Sequence, residues 1–106
     1  MAKYLFQGSY TVEGLKGLLK EGGTGRRKAT EKLAKSLGGT LEAYYFAFGD
    51  NDFYAIVDAP DNVSSAAAAL IANASGAIKC KTVILLTPEE VDQAVKQTVD
   101  YRPPGH

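Results

Sequence analysis

The fold is decided by residues 40–57, TLEAYYFAFGDNDFYAIV. Aromatic and aliphatic side chains predict two strands here, Thr40–Phe48 and Phe53–Val57. Gly, Asp and Asn are the residues that tight turns favour, so residues 49–52 predict the reversal between the strands. The stretch therefore predicts a β-hairpin in the middle of the chain.

The segments on either side of the hairpin predict further strands and helices. Aromatic and aliphatic runs indicate strands at Tyr4–Tyr10 and Ile78–Leu86. Capping residues, a proline at a first helical position and glycines at helix ends supply the helix boundaries. The first predicted helix is capped by Thr11 and broken by Gly22–Gly25, and the second covers Arg26–Leu37 and ends at Gly38 and Gly39. The third runs from Pro60-Asp61-Asn62 to Gly76, and the last starts at Thr87-Pro88-Glu89-Glu90.

Apolar residues at helical spacing predict which side of the last two helices faces the core. These residues are Val63, Ala67, Leu70, Ile71 and Ala74 in the alanine-rich helix, and Val91, Ala94, Val95 and Val99 in the last one.

The order of the elements is strand, helix, strand, strand, helix, strand and then an extra helix. Two right-handed crossovers around a hairpin give the ferredoxin-like βαββαβ arrangement, an α+β fold with a four-stranded antiparallel sheet. We predict one such domain over residues 1–100, with an extra C-terminal helix, and a flexible tail over residues 101–106, which contains two prolines and a glycine.

Composition argues against several classes of protein. The 106 residues carry 12 Lys and Arg against 12 Asp and Glu, and a nucleic-acid or anionic-membrane binder would normally have a basic excess. One Cys and one His supply neither a disulfide framework nor a zinc site, so we expect no metal and no cofactor. No signal peptide or membrane-spanning run is visible, and the cytoplasm is the expected compartment.

Strand alternation predicts that the sheet is apolar on both faces. In the second strand, Leu41 and Tyr45 share one face while Tyr44 and Phe46 share the other. In the third strand, one face has Phe53, Ala55 and Val57 and the other has Tyr54, Ile56 and Asp58. In the fourth strand, one face has Ile78, Cys80, Thr82, Ile84 and Leu86 and the other has Lys79, Lys81, Val83 and Leu85. The crossover helices can cover only one face, and an exposed patch of several aromatic side chains exceeds what a monomer normally tolerates. We therefore expect self-association into a dimer or higher homo-oligomer. The alternative is that the last helix, Glu89–Val99, folds back over the second face.

Six side chains are candidates for binding a ligand. They are Tyr10, Arg26, Arg27, Tyr44, Asp52 and Tyr54. The two arginines follow a glycine-rich stretch and could hold a phosphate or carboxylate, although a flexible break between helices explains the glycines equally. Tyrosines can pack in a core or interface and still present a hydroxyl donor to a cavity between sheet and helices. Asp52 either serves the turn or points into a pocket.

Several short motifs together resemble the GYD domain family over almost the whole chain. They are Tyr10-Thr11-x-Glu13-Gly14, Arg26 and Arg27 at the start of a helical stretch, Gly38-Gly39, Tyr44-Tyr45-x-x-x-Gly49, Pro60-Asp61 and Thr87-Pro88-Glu89-Glu90. The resemblance implies a small bacterial or archaeal protein with a ferredoxin-like, dimeric α+β barrel architecture and no established function. Asn51 stands where the tyrosine of the Gly-Tyr-Asp motif would fall, so only Gly49 and Asp52 of that motif are carried over.

These observations favour an oligomeric domain that binds a small molecule, or a regulatory domain, with a pocket between sheet and helices. The alternative is a cofactor-independent enzyme of the oxygenase or isomerase type, in which Tyr10 or Tyr44 works with Asp52 as an acid–base pair. A nucleic-acid-binding domain is disfavoured because the third strand has Asp52 and Asp58 at its ends instead of basic residues. The expected partners are a second copy of the chain and a small molecule.

Overall fold

The computed structural model describes residues 1–106 as a sheet of four strands with three helices. The elements are β1 (Ala2–Tyr10), α1 (Val12–Ser36), β2 (Thr40–Phe46), β3 (Phe53–Ala59), α2 (Asn62–Ala74), β4 (Ile78–Leu85) and α3 (Pro88–Val95). The strands lie in the order β2-β3-β1-β4, and every neighbouring pair is antiparallel. The ferredoxin-like βαββαβ fold with an additional C-terminal helix is thus confirmed.

The register of the strands divides the side chains between two faces. Tyr4 of β1 lies opposite Val57 of β3 and Ile84 of β4, and all three belong to the side that α1 and α2 cover, called here the helix side. Leu5 lies opposite Ile56 and Val83 on the other side, called here the open face. The alternation predicted for the third and fourth strands is confirmed.

A β-bulge changes the predicted alternation in β2. The pairing with β3 shifts between Leu41 and Ala43, which places Leu41 on the helix side with Tyr44 instead of with Tyr45. The extra residue, Glu42, binds the ammonium group of Lys3 at 2.8 Å. The face predicted for Leu41 was therefore wrong, because a bulge inserts one residue into the period-two pattern.

A glycine kink divides α1 where the sequence predicted a break. Thr11 caps the helix by accepting the N–H of Gly14, and helical structure resumes beyond Gly22. Gly22 has φ 75° and ψ 172°, a conformation that is essentially restricted to glycine. The break thus lies at a single residue, and Arg26 lies on the second half of the helix.

The rotation of α2 about its axis differs from the sequence prediction. Its side chain Asn73 donates to the carbonyl of Cys80 at 3.2 Å and accepts the Cys80 N–H at 2.7 Å, which ties the helix to the free edge of β4. This rotation buries Ser65 and Ala68 and leaves Leu70 exposed. The predicted inward positions Val63, Leu70 and Ala74 were wrong, because the helix is held to β4 in a rotation that turns them outward. Ile71 faces the space between helix and sheet, as predicted, but remains 68% exposed there.

The core is small and lies under the second half of α1. It consists of Tyr4, Ala34, Val57 and Ala59, with the Tyr4 hydroxyl donating to Oδ1 of Asn62 at 2.6 Å. Only 11 of the 106 residues are buried, so much of the apolar surface of this chain has no partner within it.

Helix α3 does not cover the open face. Its boundaries agree with the predicted start signal, since Thr87 and Glu90 form a reciprocal capping box. Every residue of the helix is nevertheless exposed, including Val91 and Val95, which the apolar spacing had assigned to a core. The alternative that the last helix folds back over the sheet is therefore wrong for this structure.

None of the three helices combines the length and hydrophobicity that a membrane span requires.

Candidate functional site

An apolar cleft lies on the helix side of the sheet. Helix α1 packs mainly on β2 and α2 mainly on β4, so the central strands β1 and β3 are left partly uncovered between the two helices. The cleft has a volume of about 330 Å³ and a predominantly apolar lining. Phe53, Ala55 and Val57 of β3 contribute to its lining. Small-molecule sites typically have volumes from about 300 to 1,000 Å³ and this kind of lining.

A pair of tyrosine hydroxyls forms the polar part of the cleft. Tyr10 at the end of β1 and Tyr44 in β2 both line it, and their hydroxyl oxygens are 3.0 Å apart. Phe53 positions both rings, with ring centroids 5.4 Å from Tyr10 and 6.1 Å from Tyr44. Since one hydroxyl proton is used within the pair, the second remains free to donate to a bound molecule.

Burial keeps both phenols neutral. It raises the pKa of Tyr44, and the hydrogen bond to Tyr10 raises that pKa further. Burial also raises the pKa of Tyr10, while the hydrogen bond that it shares with Tyr44 and the charge of Arg26 partly offset the effect. Either hydroxyl can be the donor within the pair, and the other one then keeps its proton for a bound molecule. The pair therefore offers a hydrogen-bond donor at neutral pH and does not offer a phenolate base.

Arg26 places the one positive charge in the lining of the cleft. Its side chain is 36% exposed, and its Nη1 atom is 3.4 Å from Oε1 of Glu21, which lies just before the kink at Gly22. This ion pair is long and has one partly exposed carboxylate, so it holds the guanidinium only weakly. A carboxylate or phosphate on a bound molecule could replace Glu21 as the partner of Arg26.

Asp52 supports the site from outside the cleft. Its carboxylate accepts the backbone N–H of Tyr10 at 2.9 Å, and its own N–H donates to the carbonyl of Gly8 at 2.7 Å. The side chain lines a smaller hollow next to Leu18, Phe46 and Phe48. It thus fixes the end of β1 where Tyr10 lies, and it makes no hydrogen bond to either tyrosine hydroxyl.

Two of the six candidate residues lie away from the cleft. The Nε atom of Arg27 is 3.6 Å from Oε1 of Glu31 on the outer side of α1. Tyr54 lies on the open face, where its hydroxyl accepts from the side-chain amide of Asn51 at 3.3 Å. The structure therefore brings together Tyr10, Arg26 and Tyr44, with Asp52 behind them.

Phe53 and Cys80 are two cleft residues with distinctive chemistry that the sequence candidates did not include. Phe53 contacts both tyrosine rings, and its position in the alternation with Ala55 and Val57 already placed it on a shared apolar face. Cys80 also lines the cleft, and burial raises the pKa of its thiol, so it remains protonated at neutral pH. No group of three or more His, Cys, Asp or Glu side chains in the chain could hold a metal ion.

The family model of the GYD domain matches residues 4–95, from the first strand to the end of α3. The chain belongs to the GYD domain family. This is a family of unknown function, and the match covers every residue that lines the cleft of this GYD domain. Comparison with curated proteins gives no match, and comparison with solved structures gives none either.

Proposed function

We propose that this GYD domain binds a small molecule in the cleft between α1 and α2. The ligand has a flat, apolar body and one negatively charged, hydrogen-bond-accepting end. The observation that carries this proposal is the presence of Tyr10, Tyr44 and Arg26 together in the lining of a predominantly apolar cleft.

The apolar part of the cleft matches the body of such a ligand. Its floor is made by β-strand side chains of modest size, Ala55 and Val57, and its walls include Leu33 of α1 and Ile71 of α2. Ile71 is 68% exposed, so a ligand that covers it removes apolar surface from water. Aromatic bodies also pack well against Phe53 and the neighbouring phenol rings.

The polar groups of the cleft match an acceptor at the end of the ligand. A neutral tyrosine hydroxyl and a guanidinium are both donors, and the cleft lining contains no carboxylate. Hydrogen bonds from a charged donor to a carboxylate are about twice as strong as neutral ones. An anionic group therefore has a stronger preference for this position than an amide or a hydroxyl.

Binding has more support than acid–base catalysis. The alternative, a cofactor-independent oxygenase or isomerase, requires Asp52 to exchange a proton with Tyr10 or Tyr44. The Asp52 carboxylate instead accepts a backbone N–H, and it lies outside the cleft. The elevated pKa of both tyrosines also disfavours their use as a base at neutral pH.

The test uses two probes that differ only at the polar end, phenylpropionate and phenylpropanamide. We expect calorimetry or NMR titration to show tighter binding of the acid than of the amide. Arg26→Gln should weaken binding of the acid by about 10- to 100-fold, because a hydrogen bond to a charged group contributes about 1.5–3 kcal/mol. Arg27→Gln is the matched control, since this neighbouring guanidinium pairs with Glu31 outside the cleft.

The outcomes separate the parts of this proposal. No binding of either probe at millimolar concentration would argue against the cleft as a site for aromatic ligands. Equal affinity for acid and amide would refute the anionic end, and equal effects of the two arginine substitutions would refute the role of Arg26.

We also propose that the domain self-associates through the open face. Two features support this: the partly exposed side chains Leu5 and Ile56 at the centre of that face, and the exposed position of Val83 beside them. A second copy is the occupant that the apolar pattern of the strands led us to expect.

A further inference from the structure

The C-terminal arm, defined here as Leu86–Tyr101, is amphipathic and has no partner within its own chain. Val91, Val95 and Val99 are 45%, 77% and 74% exposed. At helical spacing, Val91, Ala94 and Val95 form an apolar stripe along α3, while the acidic residues of the helix lie on other sides. An exposed helix with such a stripe normally packs on another surface.

The dimensions of the chain lead to the same conclusion. The accessible surface is 7585 Å², whereas a compact monomer of this mass exposes about 5,700 Å². The radius of gyration is 16.7 Å, compared with about 13 Å for a compact domain of this length. The excess surface, roughly 1,900 Å², is more than the ~800 Å² per partner that a stable interface buries.

The open face has the surface that such an arm requires. Ala43, Ile56, Leu5 and Val83 form one continuous apolar row across all four strands. Lys79 and Lys81 follow on the same face of β4, and none of the ion pairs in the protein involves either lysine. This face therefore combines an apolar centre with an unpaired positive edge.

The arm carries the opposite charge. The first turn of α3 contains Glu89 and Glu90, Asp92 follows, and the last turn has no basic residue. Glu90 is used in the capping box, whereas Glu89 and Asp92 take part in no ion pair. The arm can thus place its valines on an apolar surface and its free carboxylates near lysines.

We propose that the C-terminal arm of one protomer docks on the open face of a second copy, beside β4. In this arrangement Val91 and Val95 cover Val83 and Leu85 of the second copy, and Glu89 and Asp92 lie near Lys79 and Lys81. The inference rests on the self-association proposed above, and it assigns the arm as the element that holds the two copies together.

The first experiment compares substitutions on two sides of α3. We expect sedimentation equilibrium of the full chain to show self-association, and Val91→Lys/Val95→Lys to raise the dissociation constant at least about tenfold. Gln93→Lys, on the opposite side of the same helix, should leave it unchanged. Lysine has a higher helix propensity than valine, so the double substitution does not weaken α3 itself, which circular dichroism checks.

The second experiment tests where the arm docks. Glu89→Lys/Asp92→Lys and Lys79→Glu/Lys81→Glu should each weaken self-association at low salt, and the chain with all four substitutions should recover it. Recovery supports the arm beside β4. If the quadruple variant is at least as weak as the weaker double variant, docking at this position is wrong.

The failures of the two proposals are distinguishable. A wild-type chain that stays monomeric up to about 200 µM overturns self-association and the arm together. A wild-type chain that assembles, with a dissociation constant that Val91→Lys/Val95→Lys leaves unchanged, overturns only the role of the arm.

Discussion

At the scale of single residues, the Tyr10–Tyr44 pair supplies the hydrogen-bonded hydroxyls in the lining of the cleft. Neighbouring tyrosines differ sharply in this chain: Tyr44 lines the cleft with its hydroxyl 3.0 Å from that of Tyr10, whereas Tyr45 is 70% exposed on the open face. One position along the strand therefore separates a hydrogen-bonded phenol from a solvated one.

This difference predicts a dependence of stability on alkaline pH. Burial raises the pKa of Tyr44 in the folded state, so between about pH 10 and about pH 12 the unfolded chain loses its phenolic proton first. The stabilisation is complete below the unfolded-state pKa and is lost as the pH rises toward the folded-state value. We expect the free energy of unfolding of Tyr44→Phe to fall less steeply with rising pH than that of the wild type.

Urea unfolding across this pH range measures the effect, and only the slope with pH is compared, because Tyr44→Phe also removes the hydrogen bond to Tyr10. Tyr45→Phe is the matched control and should keep the wild-type slope. An identical slope for all three chains would contradict the assignment of the raised pKa to Tyr44.

At the scale of elements, the kink in α1 determines how the cleft acquires its charge. Glu21 precedes Gly22 and Arg26 follows it, and their side chains meet across the bend. Gly22 has open space around the position of a Cβ, so any cost of a side chain there comes from the backbone conformation alone.

Two glycines of α1 should therefore respond in opposite directions to the same substitution. Gly22→Ala should destabilise the protein by about 1–3 kcal/mol, because φ 75° with ψ 172° is strained for any residue with a Cβ. Gly17→Ala should stabilise it by roughly 0.5–1 kcal/mol, since Gly17 is helical and also has open space around it. Thermal and urea unfolding measure both changes, and a stabilising Gly22→Ala would show that α1 does not need the kink.

Element boundaries followed from local signals in the sequence, whereas element rotations did not. The hairpin, the Thr11 cap and the Thr87 capping box depend on residues within a few positions of one another, and all three were predicted. The rotation of α2 depends on Asn73 reaching the edge of β4, and the bulge in β2 brings Glu42 to Lys3. These contacts join distant segments, which spacing along the chain does not encode.

Strand alternation predicts only the part of the candidate site that lies on strands. Alternation separates Tyr44 from Tyr45 and Phe53 from Tyr54, yet it does not say which face the helices cover. This is why Tyr54 stood beside Tyr10 among the candidates although the two lie on opposite faces. The sequence likewise could not tell whether Arg26 or Arg27 faces the cleft, because this depends on the rotation of α1 beyond Gly22.

At the scale of the whole molecule, the chain has an extended shape and only a small buried core. The chain measures 55 × 33 × 22 Å, with α3 exposed along its whole length. The self-association that we propose would cover this apolar surface, and it predicts a stability that depends on concentration, as for proteins that unfold from an oligomer.

Raising the protein concentration from about 2 µM to about 200 µM should therefore raise the Tm, because each tenfold increase adds about 1.4 kcal/mol per mole of dimer to the free energy of unfolding. Differential scanning calorimetry measures this shift. In Val91→Lys/Val95→Lys the Tm should vary much less with concentration, whereas Gln93→Lys should behave as the wild type does. A wild-type Tm that does not change with concentration would mean that the monomer is stable with its open face and arm exposed, and that the small core carries the fold by itself.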